Sequence, residues 1–121
     1  MKVYRASIAA LLLLAAVSAD AACERPAATA PAIPNGAQAD DATMKAAHDT
    51  IQAYVNELEA YKACLKQQYD NAPAGTSDEQ KLAWIGQGDA AVDAASVLAG
   101  QFSAALKQFK ERQSQQQPAK P

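Results

Sequence analysis

Between Asp41 and Tyr69 the chain reads DATMKAAHDTIQAYVNELEAYKACLKQQY, with its larger side chains at Met44, Ala47, Ile51, Tyr54, Leu58, Tyr61 and Leu65. The steps alternate three and four. That interval returns a side chain to one face of an α-helix and also defines the seam of a coiled coil. Val55 and Tyr69 widen the apolar stripe, while Lys45, Asp49, Glu59 and Lys66 lie mainly off it. The spacing therefore predicts a long amphipathic helix that must bury its stripe against another part of the chain.

The cover comes from the same chain. Pro73 and Gly75 in NAPAG cannot continue a helix, so the first one stops near Asn71. Thr76 with Glu79, and Ser77 with Gln80, both match the capping-box pattern that opens a second helix. Asp40 or Asp41 can cap the first, with acidic charge at its positive end. The second apolar set is Trp84, Ile85, Val92, Ala95, Leu98, Ala99, Phe102, Ala105, Leu106 and Phe109, again at helical spacing. Helices are predicted over 40–71 and 77–113, with a polar, frayed tail over 114–121. A short loop makes two such helices antiparallel neighbours, so the expected fold is all-α, a helical hairpin.

Counting outward from the loop sets Tyr61 opposite the Gly86 to Gly88 region, Leu65 opposite Trp84, and Ile51 opposite Leu98. The two glycines each cost roughly 1 kcal/mol in a helix interior. A Tyr61 ring packed over them gives them a structural role. Phe109 overhangs the start of the first helix, where Ile33 is its natural partner.

The beginning of the chain has a different character. MKVYRASIAALLLLAAVSADAA has a positive start at Lys2 and Arg5, an apolar core from Ile8 to Val17, and an A-x-A site at Ala19-Asp20-Ala21. Those are the three parts of a secretory signal peptide, predicted over 1–21 and cleaved. The apolar run is too short to stay in a bilayer as a spanning helix. Residues 22–39 then carry Pro26, Pro31 and Pro34, followed by Asn35-Gly36. Proline at this density opposes helix and strand alike, so an extended arm is expected, turning at Pro34-Asn35-Gly36. Ile33 argues that the arm lies on the helices.

Two cysteines in an exported chain point to a disulfide. Cys64 sits about 36 Å along the first helix at the usual rise. The arm can span about 53 Å in polyproline II form, so Cys23 reaches Cys64 with slack. Closing that loop could contribute up to ~4 kcal/mol in the chain-entropy model. Two other fates stay open for Cys23, a covalent dimer and a lipid anchor. For the lipid, the residue three before the cysteine should be apolar, and here it is Asp20.

In 121 residues there is room for one domain at most. The 50% apolar content is largely alanine, with one Trp, two Phe and four Tyr to build a core, so a domain this small needs a staple or a partner. A formal net charge of −2 gives no basic excess to suggest nucleic acid. The helix faces mix both signs of charge and are rich in Gln and Ala, unlike helices that lie on membranes.

Few residues invite chemistry. Met44 and the only histidine, His48, are four apart on one helix and approach a metal from one side, not both faces of a haem. Asp89 and Asp93 are also four apart, but holding Ca²⁺ or Mg²⁺ needs further oxygen ligands. The sequence contains no C-x-x-C, no H-E-x-x-H and no glycine-rich phosphate loop. A Ser-His-Asp site would need His48 buried and oriented by a carboxylate, and a thin hairpin has little concave volume for that. The expectation is a non-enzyme without cofactor, metal or small-molecule substrate, the alternatives being a membrane-anchored lipoprotein through Cys23 and, more distantly, a metal or haem carrier through Met44 and His48. Its surface meets another protein or a second copy through Tyr54, Val55, Tyr69, Phe102 and Phe109, or else those side chains are core.

Three segments together carry a resemblance: Cys23-Glu24-Arg25-Pro26, then Pro31-Ala32-Ile33-Pro34-Asn35-Gly36, then Ala53-Tyr54 through Tyr61 to Cys64-Leu65. In this combination the chain resembles a group of small, uncharacterised secreted proteins of Gram-negative proteobacteria. The resemblance covers Cys23 to about Leu65. It implies a periplasmic address and a paired Cys23 and Cys64, and it brings no activity, cofactor or catalytic residue.

Overall fold

A computed structural model describes residues 23–119. The predicted signal peptide over 1–21 lies outside the described residues. Among the described residues two helices, α1 (Asp41–Asp70) and α2 (Asp78–Gln116), pack side by side as an antiparallel hairpin. Of the two candidate caps for α1, Asp40 takes the role, its carboxylate accepting from the Thr43 N–H at 2.7 Å. Ser77 caps α2 by accepting from the Gln80 N–H at 3.1 Å. Thr76 instead closes the loop, its hydroxyl donating to the Pro73 carbonyl at 2.8 Å. Gly75 supplies the left-handed residue of that turn, at φ 94°.

The predicted register is present. Ile51 and Leu98 share one buried cluster with Met44, Phe102, Ala105 and Phe109. Leu58, Tyr61, Leu65 and Ala91 form a second, with Trp84 packed against it, and Tyr54 touches both. The Tyr61 hydroxyl donates to Gln87 Oε1 at 3.1 Å. Its ring does not, however, lie over a glycine pair. A Cβ on Gly88 would meet Lys62 Cγ at 3.4 Å and Leu65 Cδ1 at 3.9 Å, while Gly86 faces open space. The helix turns about 100° per residue, which puts Gly86 and Gly88 on different faces, so a single ring cannot cover both.

Two boundaries move. The predicted tail over 114–121 begins later, because Ser114, Gln115 and Gln116 are helical. Pro118 explains the stop. It biases the residue before it toward extended backbone, and Gln117 has φ −75° and ψ 124°. The arm's turn starts at Asn35 and closes through the Ala39 N–H on the Asn35 carbonyl at 2.8 Å. The Asn35 side chain accepts from the Ala37 N–H at 3.0 Å, an Asx turn that shifts the bend one step past the prolines.

Candidate functional site

Two parallel cylinders leave two grooves along their junction, and the arm fills one of them. Cys23 and Cys64 lie at disulfide distance, with Sγ atoms 1.97 Å and Cα atoms 5.7 Å apart. From there Arg25 to Ala28 run over Tyr54, Tyr61, Gln87 and Ala94. The Tyr54 hydroxyl donates to the Ala27 carbonyl at 2.8 Å. Further along, Ile33 joins the upper cluster. The far end is held by Arg112, whose guanidinium donates to the Ala37 carbonyl at 3.1 Å and also to the Ala39 carbonyl. The same group lies 5.3 Å from the centre of the Phe109 ring, stacked over its face.

The opposite groove has no cover among the described residues. Near the loop its floor is Leu65, Tyr69, Trp84, Ile85 and Gly88 around a depression of about 300 Å³. It continues along Val55, Leu58, Val92, Ala95 and Ala99 as a second depression of about 260 Å³. Tyr69, Ile85 and Val92 remain 41%, 44% and 39% exposed, large apolar side chains facing water. Lys62 and Lys66 border the depression from α1 and Asp89 from α2, with Glu59 and Ser96 further along.

The five residues expected at a contact face therefore divide. Phe102 and Phe109 are 9% and 7% exposed and belong to the core, the second of the two readings their spacing allowed. Their α2 positions point straight at α1, and the arm closes over the upper cluster they join. Tyr54 is half-buried beneath the arm. Only Val55 and Tyr69 border the open groove. Missing from the expectation were its α2 wall residues. A signal for them exists in the sequence, since Ile85, Val92, Ala99 and Leu106 recur every seven residues beside the core rows.

The metal and acid–base candidates do not converge. Met44 is buried in the upper cluster, whereas His48 is exposed, with Nδ1 3.2 Å from Asp49 Oδ1 and its ring 6.0 Å from that of Phe102. Asp89 borders the groove and both it and Asp93 are exposed. Among the described residues no three His, Cys, Asp or Glu side chains gather where a metal could be held, and no helix is long and apolar enough to cross a membrane. Hydrogen bonds from the Thr43 side chain and N–H hold the Asp40 carboxyl below its ordinary value, a capping effect and not a reactive one. No family model, curated protein or solved structure matches the chain.

Proposed function

We propose that this is a small exported, non-enzymatic protein of the bacterial envelope, periplasmic or secreted, whose hairpin presents a helical surface to another protein or to itself. One observation carries the reading. The Pro-rich arm covers one helix–helix groove, while the other keeps Tyr69, Ile85 and Val92 exposed along an apolar floor. Exposed apolar strips of this kind mark contact surfaces. Export is supported by the leader pattern over 1–21, by the cysteine pair, and by the resemblance to small secreted proteins. A sulfur engaged with Cys64 has no thiol left for a lipid anchor, which favours a soluble form over a lipoprotein attached through Cys23. The groove gathers no nucleophile beside a base, which favours binding over catalysis.

Two measurements test this. The intact mass of the exported protein should match a chain cleaved near Ala21 and gain about two mass units on reduction, the two hydrogens added when one S–S bond breaks. A lipid-modified Cys23 would overturn the soluble form. A photo-crosslinking residue at Val92 should give discrete adducts in the envelope that the same residue at Val97, 60% exposed elsewhere on α2, does not. Equal adducts from both positions would remove the groove as the contact surface.

A further inference from the structure

The turn of the arm holds a reactive sequence. Asn35-Gly36 is the chain's only Asn–Gly pair, since Asn56 is followed by Glu57 and Asn71 by Ala72. Glycine after asparagine favours one reaction, because without a Cβ its backbone nitrogen reaches the asparagine side chain unhindered. That nitrogen bonds to Asn35 Cγ, the Cγ–Nδ2 bond breaks, and ammonia leaves carrying the Gly36 amide proton. The product is a succinimide ring. Water then opens either of its carbonyls, leaving aspartate or isoaspartate at position 35. Asn35 is exposed, so the departing ammonia and the entering water both have free passage.

Docking on α2 withholds what ring closure needs, freedom of the backbone between the two residues. The Asn35 carbonyl accepts from the Gln38 N–H at 3.0 Å and from the Ala39 N–H at 2.8 Å. Its side chain is engaged as well, Oδ1 accepting from the Ala37 N–H at 3.0 Å. Gly36 is buried, so near the Ala105 carbonyl that no Cβ would fit between them. The Ala37 and Ala39 carbonyls are in turn tied to Arg112. Swinging the Asn35–Gly36 peptide plane to bring its nitrogen over Cγ carries the carbonyl off both donors and moves Gly36 against Ala105. The same close fit excludes the isoaspartate product from the docked arm. Its backbone runs through the former side chain and is longer by a methylene, at a place without room for a methyl.

We propose that Asn35 is a deamidation site gated by the arm. The docked turn protects it, and isoaspartate formed there releases this end of the arm from α2 irreversibly. Neither step involves the open groove or its partner. The test ages the processed, oxidised chain at mildly alkaline pH and follows the Asn35 peptide by mass. Exchange of ammonia for water adds about one mass unit, and transfer of a labelled methyl group by an isoaspartyl methyltransferase tells isoaspartate from aspartate. Wild type should deamidate at Asn35 roughly tenfold or more slowly than the same chain reduced and unfolded in guanidinium chloride, where the pair is free. Arg112→Ala loosens the docked end and should raise the rate about tenfold over wild type, with circular dichroism showing the helices intact. Asn35→Asp keeps the normal backbone and an oxygen for the Ala37 N–H, so its arm should resist proteolysis as wild type does. The isoaspartate form, separated by ion exchange, should be cut in the arm. Wild type deamidating as fast as the unfolded chain overturns the protection. An unchanged rate in Arg112→Ala overturns docking as the gate. An isoaspartate form as protease-resistant as wild type overturns the release.

Discussion

Gly36 and Ala105 approach so closely that a Cβ added to Gly36 would fall 1.8 Å from the Ala105 carbonyl oxygen and 2.7 Å from its carbonyl carbon. Both atoms belong to the backbone of α2, so no side chain can swing away to make room. Glycine is required at this place by proximity, not by an unusual backbone angle.

Gly36→Ala should therefore push the arm off α2 at its turn. The expected loss is about 1–3 kcal/mol, the range found when extra volume is forced into a packed contact. Because the hairpin's own clusters do not depend on a methyl at this site, helicity should survive. Urea unfolding followed at 222 nm measures the loss, and a stability equal to wild type would mean that the arm yields without cost.

The staple should matter more than the turn. Its two cysteines are 41 residues apart in sequence, and a loop of that size is worth up to ~4 kcal/mol in the chain-entropy model. Cys64→Ser should lower stability by about 2–4 kcal/mol. It should also open the arm near Ala27 to proteolysis, since the Tyr54 hydrogen bond alone must then hold that end. Limited digestion with a broad-specificity protease distinguishes the two forms. Unchanged cleavage on reduction would show that the remaining contacts suffice.

Much of this was legible in the residues. Alternating three-and-four steps mark the first helix and a looser helical spacing the second, and antiparallel counting from the loop brings Ile51 to Leu98 and Leu65 to Trp84. The arm's path was less legible, because its contacts follow no period. Nothing near Gly36 in the sequence announces Ala105, and nothing near Ala37 announces Arg112. Which of the five stripe residues are core and which stay open was illegible for a related reason. Helical spacing says that Phe102 and Phe109 lie on the stripe, but cannot say that the arm seals their end of it. Val55 and Tyr69 carry the same pattern and remain beside an open groove, since the arm takes the other side.

Arg112 should be the second anchor of the arm. It donates to the Ala37 and Ala39 carbonyls from one planar group while lying over Phe109. Charged donors to backbone carbonyls contribute about 1.5–3 kcal/mol, and the ring contact adds about 0.5–1. Arg112→Ala should cost about 2 kcal/mol overall, because water replaces part of the lost bonding and the buried Nε, which has no hydrogen-bond partner among the described residues, offsets some of the gain. Arg112→Lys should recover little, since an ammonium cannot reproduce the planar two-point geometry. Thermal melting of both variants beside wild type checks the order.

Trp84 should report directly on the open groove. It is the only tryptophan, it packs against the lower cluster, and it lines the depression beside Tyr69 and Ile85. In a lone hairpin its outer ring edge meets water, so emission should lie between the buried and free limits and respond to iodide. A second hairpin over the groove removes that water. If the chain meets a second copy there, diluting the oxidised protein should shift emission to the red and increase quenching. Cys64→Ser should leave the shift in place, because the staple lies on the opposite groove. Emission independent of concentration, in a chain that sediments as a dimer, would put the partner on another face.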